Sequence, residues 1–446
     1  MRYREYKKVD LPWLDEVPRH WEIKRSKFYI HSKKEINKDK KVMNVLSLTL
    51  NGVIRNDAEN PIGLSPSDYS TYQIFNNNDL VFKLIDLDNV RTSRVGLVNE
   101  LGIMSSAYIR GIINNNILFP KYIYYWYYKL YIEEVYNKLG SGVRSTISSS
   151  ELLEMQIPIP PKEEQEQIAS FLDWKINEID RLMEIEVEKI KVIKKSIKSV
   201  HQDLILGKLK NKSMNFTNKK FVDGIPSNWK VVKLKKVLEK IEIDANKDDE
   251  IVICSNHGYS FFRGDRKIGL SSEDNRYYQR VKKNQIMIHG MDTWHGAICI
   301  SNHYGKCTRV VHVCKSQEND EYIVYYLRLL AFIGMYKPYS NGVRQNTSDF
   351  RSWNVLGNID ILLPPKEEQD SIALALNKYI KTSNKIIKIS EGRIKKLQLL
   401  KQSIISDLVT GKVDIRNIEI PNFERFENDN LQEESEESLE SIMEEV

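Results

Sequence analysis

Basic and hydrogen-bonding side chains recur near glycine-containing loops in both halves of this 446-residue chain. Lysine and arginine neutralise phosphates, whereas side chains with fixed hydrogen-bond geometry distinguish the base edges of double-stranded DNA. Residues of this kind are Arg55, Lys83, Arg91, Arg94 and Arg144 in the first half and Arg263, Arg266, His289, Trp294, His295, Arg344 and Gln345 in the second. Together they predict contacts with DNA. For any one of them, ordinary surface charge is the alternative.

One of these arginines stands in the same tripeptide in both halves. Gly142-Val143-Arg144 corresponds to Gly342-Val343-Arg344, and each precedes a pair of prolines. A residue common to both halves suits a contact with the DNA backbone or with a shared partner. The residues that specify sequence should therefore be those that differ between the halves.

The residue pattern favours neither a metal site nor a catalytic site. Four cysteines, Cys254, Cys299, Cys307 and Cys314, lie among histidines in the second half, but their spacing matches no usual zinc pattern. The corresponding part of the first half has neither residue type. No phosphate-binding glycine loop, zinc-protease motif or serine-nucleophile motif occurs. The sequence predicts a binding protein with no metal or cofactor of its own.

Net charge points to a polyanionic partner. The chain carries +6 overall, but the ten acids and one arginine from Glu424 onward account for −9, which leaves +15 on residues 1–423. The acidic end, residues 415–446, is predicted to be disordered. No apolar run is long enough to span a membrane, and the presence of only four cysteines, none in a Cys-x-x-Cys pair, favours a reducing cytoplasm.

A repeat defines the elements that must position the candidate residues. Residues 157–207 recur in outline at 361–411, and each copy begins near Pro-Pro-Lys-Glu-Glu-Gln and ends at a glycine followed by lysine. Proline and glutamate suit the first turn of a helix, and glycine suits its end. Apolar residues between them alternate at steps of three and four. This spacing predicts two long helices, each with one narrow apolar stripe.

The stripes predict a seam between the two helices. Its apolar members are Ile176, Ile179, Met183, Ile190, Ile193, Ile197, Val200 and Leu204 in the first helix and Ile380, Ile387, Ile394, Leu397, Ile404 and Leu408 in the second. Polar residues at seam positions are Glu186, Ser383, Ser390 and Lys401. We expect antiparallel pairing, because a contact with two-fold symmetry leaves no free apolar face. Two unrelated helices that each pack on their own domain are the alternative.

The rest of the chain is duplicated as well. Val17-Pro18-Arg19-His20-Trp21 corresponds to Ile225-Pro226-Ser227-Asn228-Trp229, and shorter matches follow at slightly different offsets. Strands are expected near residues 42–48, 79–82, 250–254 and 285–288, and helices at 121–131 and 321–328. The fold prediction is α+β, with domains at 1–157 and 211–361 and long helices at 158–210 and 362–414.

These features carry a resemblance to a known family. The doubled architecture, the Val-Pro-x-x-Trp opening, the Gly-Val-Arg loop and the repeated Pro-Pro-Lys-Glu-Glu-Gln resemble the specificity subunit of type I restriction-modification systems over about residues 10–415. The acidic end lies outside the resemblance.

The resemblance implies two pseudo-symmetric target-recognition domains, each reading half of a split, asymmetric DNA site. Two long antiparallel helices would form an intramolecular coiled coil that sets the spacing. It also implies two methyltransferase subunits docked on those helices, with S-adenosylmethionine bound in them, and motor-nuclease subunits outside. This chain would be non-catalytic. The alternatives are a tether that binds nucleic acid without sequence choice and a single-chain nuclease or methyltransferase.

Overall fold

The computed structural model describes residues 2–50, 52–56, 68–88, 93–140, 145–208, 214–219, 222–266, 268–269, 272, 274–336 and 350–425. They divide into two compact units. The first takes in the chain up to Val187 and again from Glu391, and the second takes in Glu188–Ser390. Each unit holds one globular part, which we call domain 1 or domain 2, and a stretch of each of two long helices.

Domain 1 contains twelve strands and three short helices in its described residues. The strands are β1 (Tyr6–Leu11), β2 (Leu14–Pro18), β3 (Glu22–Arg25), β4 (Ile30–His31), β5 (Leu46–Thr49), β6 (Gly52–Arg55), β7 (Gln73–Phe75), β8 (Leu80–Phe82), β9 (Val95–Leu97), β10 (Gly102–Met104), β11 (Ile109–Ile113) and β12 (Gln156–Ile159). The helices are α1 (Pro120–Ile132), α2 (Val135–Leu139) and α3 (Ser149–Glu154). Strands β4-β11-β8-β9 form an antiparallel sheet, and the remaining strands pair as β1·β2, β3·β12, β5·β6 and β7·β10.

Domain 2 repeats this topology strand for strand. After the long helix α4 (Lys162–Ile205), its strands are β13 (Met214–Lys219), β14 (Val222–Pro226), β15 (Lys230–Lys233), β16 (Leu238–Ile241), β17 (Val252–Cys254), β18 (Ser260–Phe262), β19 (Tyr278–Val281), β20 (Ile286–His289), β21 (Ile298–Ile300), β22 (Gly305–Thr308), β23 (Val311–Ser316) and β24 (Asp360–Leu363). Its helices are α5 (Asp320–Phe332) and α6 (Trp353–Leu356), followed by the second long helix, α7 (Lys366–Val409). The sheet order β16-β23-β20-β21 and the pairs β13·β14, β15·β24, β17·β18 and β19·β22 are those of domain 1 with twelve added to each strand number.

The mixed strand and helix content confirms the α+β class. The predicted helices at 121–131 and 321–328 are α1 and α5, and the strands predicted near 79–82 and 285–288 are β8 and β20. The run at 42–48 forms a strand only from Leu46, since β5 begins there. The aromatic side chains of α1 belong to the core, where Tyr122 and Trp126 are fully buried. Burial of such large apolar surfaces stabilises the domain and leaves these rings unable to stack on bases.

Each long helix has 44 residues and contributes to both units. In the first unit, Asp180 pairs with Lys401 (Oδ1 to Nζ, 2.8 Å) and Glu186 pairs with Arg393 (Oε1 to Nη1, 2.8 Å). Residue numbers rise along α4 as they fall along α7, so the two segments run antiparallel there.

The second unit repeats the arrangement with the helix ends exchanged. Ser196 and Tyr379 share a hydrogen bond between their hydroxyls (2.7 Å). The end of α4 at Ile205 and the start of α7 at Ile372 lie in one apolar cluster. In each unit the start of one long helix therefore packs near the end of the other.

The polar residues on the two stripes have different environments. Glu186 and Lys401 form the ion pairs named above, and Arg393 and Asp180 stand opposite them. Ser390 is fully buried on α7, and its hydroxyl has no hydrogen-bond partner among the described residues. The two ion pairs join specific positions and so favour one register of α4 against α7.

The described residues contain no helix that is long and apolar enough to span a membrane, and no group of three or more metal-ligating side chains. The four cysteines are free and buried in domain 2. Burial raises the pKa of Cys307 and Cys314 to about 12, so both thiols stay protonated at neutral pH. In this part of the chain the cysteines serve as core residues.

Candidate nucleic-acid interface

The repeated Lys-Glu-Glu-Gln sequence joins each long helix to its own domain. Gln165 is fully buried; its amide donates to the carbonyl of Pro160 (2.9 Å), and its oxygen accepts the backbone N–H of Phe119 (2.8 Å). Because Phe119 is the N-cap of α1, the glutamine fixes that helix against the start of α4.

Gln369 has the same role in domain 2. Its amide donates to the carbonyl of Pro364 (2.9 Å), and its oxygen accepts the backbone N–H of Asn319 (3.1 Å), the N-cap of α5. The lysines at the two helix starts complete the match, since Lys162 donates to the carbonyl of Asn115 and Lys366 to that of Gln317.

The Pro-x-x-Trp openings hold the other end of each helix. Gly411 and Gly207 both adopt φ +71°, a left-handed conformation that glycine takes without strain. A Cβ at Gly411 would collide with Pro18, and one at Gly207 would lie 2.7 Å from Pro226. The residues that recur most closely in the sequence thus position the domains on the helices. We call these repeated contacts between a domain and its helices the frame of that domain. The frame holds the candidate DNA-binding residues in position.

In domain 1 the described candidates differ sharply in exposure. Arg55 lies at the end of β6, and its guanidinium pairs with Glu100 (Nε to Oε1, 2.7 Å) while its side chain stays largely exposed. Arg94 is buried and donates to the carbonyls of Ile85 (2.9 Å) and Asp86 (3.0 Å). Arg55 can therefore exchange its partner for a DNA group, whereas Arg94 fixes the loop that follows β8.

Lys83 lies in that same loop and is half-buried. Partial burial, together with the nearby guanidinium of Arg94, lowers its pKa from the ordinary lysine value. Its backbone N–H donates to the carbonyl of Arg94 (2.9 Å). Arg94 thus sets both the position and the electrostatic environment of Lys83.

In domain 2 two candidate arginines lie just after β18. Arg263 is half-buried, and its Nε donates to the carbonyl of Arg266 (3.0 Å). Arg266 is exposed, with its guanidinium 5.0 Å from the ring centre of Phe261. The aromatic ring supports the exposed cation from one side, which leaves its other face available to a ligand.

The other described candidates of domain 2 lie in one turn, residues 289–296. Nδ1 of His289 accepts the backbone N–H of Asp292 (3.1 Å), and burial lowers the pKa of this histidine. Trp294 is half-buried, and its indole N–H has no hydrogen-bond partner among the described residues. His295 is exposed. The turn therefore presents one exposed imidazole, while the unsatisfied indole N–H is itself buried.

A half-buried arginine ties this turn to the β17–β18 hairpin. Nη1 of Arg328 on α5 donates to the carbonyls of Gly296 (2.7 Å) and Asn256 (3.2 Å). The hairpin adds the stacked rings of His257 and Tyr259, whose centres are 6.2 Å apart. Two segments that are distant in the sequence thus lie at one surface.

Sequence reasoning missed this part of the surface. His257, Tyr259 and Tyr304 were not among the candidates, although Tyr304 and Tyr259 are both exposed. Aromatic rings next to a basic surface can stack on bases. The available signal is the density of His and Tyr between residues 257 and 304, of which the metal hypothesis considers only the histidines.

Four candidates, Arg91, Arg144, Arg344 and Gln345, lie outside the described residues. The seam candidates are all described. On α4, Ile179 and Ile190 are buried, on α7 Ile387 and Leu408 are buried, and the other apolar seam positions are half-buried.

Comparison with known proteins finds a family model and two related proteins that match this chain in sequence. Residues 21–195 match the family model described as "Type I restriction modification DNA specificity domain". The type I restriction enzyme MjaVIII specificity subunit of Methanocaldococcus jannaschii is 26% identical over 375 residues, which cover 77% of this chain and 81% of that protein. The putative MjaX specificity subunit of the same organism is 25% identical over 322 residues, 68% of this chain and 70% of that protein.

Solved structures share the fold. One, from work on complex assembly and conformational transition of a type I restriction-modification system, superposes with a TM-score of 0.62 at 14% identity and covers 89% of this chain and 99% of its own. The HsdS subunit from Thermoanaerobacter tengcongensis superposes with a TM-score of 0.50 at 13% identity, over 89% and 98% of the two chains. At these identities the likeness concerns the fold alone.

Proposed function

We propose that this chain, a type I restriction-modification specificity subunit that recognises DNA sequence, reads a split site with domain 1 on one half and domain 2 on the other. The observation that carries the proposal is the identical strand topology of the two domains combined with unlike side chains on corresponding loops. Two domains with the same topology can bind a DNA duplex in the same way. Unlike side chains then require unlike half-sites.

The proposal divides the residues by role. The buried Gln165 and Gln369 keep each frame in place and do not touch DNA. Base and phosphate contacts are assigned to exposed or half-buried groups, namely Arg55 and Lys83 in domain 1 and Arg263, Arg266, His289, Trp294 and His295 in domain 2. Arg144 and Arg344 are assigned backbone contacts and Gln345 a base contact. Arg94 is assigned a positioning role, because its Nη1 and Nη2 donate to backbone carbonyls.

The long helices are assigned spacing and docking. We take residues 1–157 and 211–361 as target-recognition domains, 158–210 and 362–414 as spacer helices that form a coiled coil, and 415–446 as an acidic tail. Exposed apolar side chains such as Leu182 and Ile185 on α4 and Leu399 and Leu400 on α7 support a partner surface on both helices. The partners proposed are two methyltransferase subunits, which would bind S-adenosylmethionine, and motor-nuclease subunits outside them.

Catalysis is assigned to those partners and not to this chain. The complex is expected in the cytoplasm, where it meets DNA. Adding one heptad to both long helices should lengthen each by about 10 Å, which corresponds to about three base pairs. The recognised site should then gain a gap of that size, and an unchanged gap would rule out the helices as the ruler.

Methylation mapping tests the reading role directly. DNA from cells that express this chain with its candidate methyltransferase is sequenced by a single-molecule method and compared with DNA from cells that lack the chain. The expected result is a new split motif, modified on both strands. If no motif appears while the methyltransferase works with another specificity subunit, the reading role is excluded and sequence-blind binding becomes the better account.

A paired variant sharpens the same experiment. Arg266→Gln should alter or relax only the half-site read by domain 2. Arg276→Gln is the control, because Arg276 is also an exposed arginine of domain 2 and pairs with its neighbour Asp274 (2.7 Å). Equal effects of the two substitutions would contradict the role given to Arg266.

A further inference from the structure

Domain 1 has a basic loop whose counterpart in domain 2 is acidic. Residues 33–41, which we call the lysine loop, follow β4 and contain five lysines and two acids. The loop is anchored by a bridge between Ile36 and Gln73. In domain 2 the matching bridge joins Asp244 to Gln279, so the equivalent loop is residues 241–249, with four acids and one lysine.

The lysine loop is held in one conformation. Asn37 is buried; its amide donates to the carbonyl of Val42 (2.7 Å), and its oxygen accepts the Val42 N–H (3.2 Å). The Asn37 N–H donates to the carbonyl of Tyr72 (2.9 Å). The backbone that carries the lysines is therefore fixed, which lowers the entropic cost of aligning them on a ligand.

Among the described residues, the acids near the lysine loop pair with other cations and leave three of its lysines without an ion pair. Glu35 accepts from the buried Arg110 (3.1 Å), which also donates to Asp79 (2.6 Å). Lys40 pairs with Asp68 (3.0 Å) and Lys41 with Asp39 (3.1 Å).

What remains is three exposed lysines, Lys33, Lys34 and Lys38, that form no ion pair among the described residues. Lys34 also borders a cleft of about 230 Å³ whose other walls include Ser32, Tyr108 and Ser149. Ammonium groups beside hydroxyls are the groups that proteins use against DNA phosphates.

Two acids of the acidic loop lie beside arginines of domain 2. Asp244 pairs with Arg309 (2.5 Å), and Asp249 lies 3.6 Å from Arg280. The buried charges of domain 1 have no equivalent either, since Gln285 and Val313 occupy the positions of Asp79 and Arg110 in the strand register. The charge difference therefore extends from the loop into the sheet beneath it.

We infer that the lysine loop is a phosphate-binding site on double-stranded DNA, built through Lys33, Lys34 and Lys38, and that the acidic loop of domain 2 makes no such contact. The inference rests on the proposed function and adds that the two domains contribute unequally to the affinity for DNA. Domain 1 supplies more of the salt-dependent affinity, and domain 2 depends more on its arginine, histidine and aromatic groups.

The test measures how the affinity of the full-length chain for a random-sequence duplex changes with salt. Each phosphate neutralised adds about −0.9 to the slope of log K against log[salt], so Lys33→Gln/Lys34→Gln/Lys38→Gln should reduce the slope by about 2.7. Between 50 and 200 mM salt the wild-type affinity should fall about 40-fold more than that of the variant. The matched control is Lys235→Gln/Lys236→Gln/Lys247→Gln in domain 2, which removes the same charge from exposed lysines and should leave the slope unchanged.

The outcomes separate this inference from the proposed function. An unchanged slope in the triple variant, or an equal loss in the control, overturns the lysine loop as a phosphate site. A motif in the methylation map together with an unchanged slope would refute the inference alone. A reduced slope with no motif would support the lysine loop while refuting sequence reading. Thermal unfolding followed by circular dichroism checks that each triple variant is folded.

Discussion

Domain 1 and domain 2 have one topology and opposite surface charge at an equivalent place. Their sheets, ladders and isolated bridges correspond strand for strand, yet the lysine loop of one is matched by an acidic loop in the other. The groups that coincide are buried, as Gln165 and Gln369 are. Duplication has preserved the contacts that hold a domain on its helices and has left the exposed loops free to diverge.

The first prediction concerns the helices that both units use. Ile190→Asp should lower the free energy of unfolding of the second unit by about 4 kcal/mol or more, because it leaves an unpaired charge at a buried site. Its repeat counterpart Ile394 is only half-buried, so Ile394→Asp should cost less in the first unit. Hydrogen exchange read by mass spectrometry follows each unit separately.

Val192→Asp is the control for that comparison. Val192 lies on the same helix with 56% of its surface exposed, and the change should cost less than about 0.5 kcal/mol. A loss at Val192 as large as that at Ile190 would mean that burial on α4 does not decide the stability of the unit.

The second prediction is a pH effect confined to one unit. His201 on α4 donates from Nε2 to the carbonyl of Tyr325 (2.9 Å), and burial lowers its pKa to about 4. The unfolded chain binds a proton near pH 6.5 and the folded chain only near pH 4, so stability is complete above pH 6.5 and is lost as pH falls towards 4. The loss in the second unit should reach up to about 3 kcal/mol.

The repeat supplies the control, since the matching position on α7 is the fully buried Ile405. His201→Ile should remove the part of the pH dependence of the second unit that comes from this position. Denaturant unfolding of both proteins at several pH values between 6.5 and 4 measures the difference. A pH dependence as large in the variant as in the wild type would assign the effect to other groups.

The third prediction is that Gln165 and Gln369 contribute similarly to the stability of their own units. Gln165→Leu and Gln369→Leu each leave buried backbone groups of a helix N-cap without a partner, at a cost of about 1–3 kcal/mol. Each change should destabilise its own unit, and by a similar amount. Hydrogen exchange of α1 and α5 measures the loss of stability in each unit. A large difference between the two losses would contradict the equivalent roles of Gln165 and Gln369.

The smallest effect on stability is expected at Arg55. Its pair with Glu100 is exposed, so Arg55→Gln should change the free energy of unfolding by less than about 0.5 kcal/mol. The same change should alter the half-site read by domain 1 and leave the other half as it was. A methylation map that changed in both halves would contradict separate reading by the two domains.

Sequence patterns predicted the framework well because its signals are local and periodic. Steps of three and four residues predicted the long helices, and prolines and glycines marked helix ends close to those of α4 and α7. The helix predicted at 121–131 is confirmed as α1, and the structure shows its aromatic rings packed in the core. The strand near 42–48 was placed less well, since a short apolar run does not define where pairing begins.

What the sequence determined by itself is the duplication, the α+β class, the two long helices and the basic character of the body, since each follows from local periodicity or composition. Only the tertiary structure decided how individual charges are used. Arg55 and Arg94 look alike in the sequence, but one is exposed beside a carboxylate and the other is buried against carbonyls. Equally, Lys34 and Lys40 share a loop, and only Lys40 has a carboxylate partner. Contacts between segments far apart in the chain set these roles, and no residue type or spacing records them.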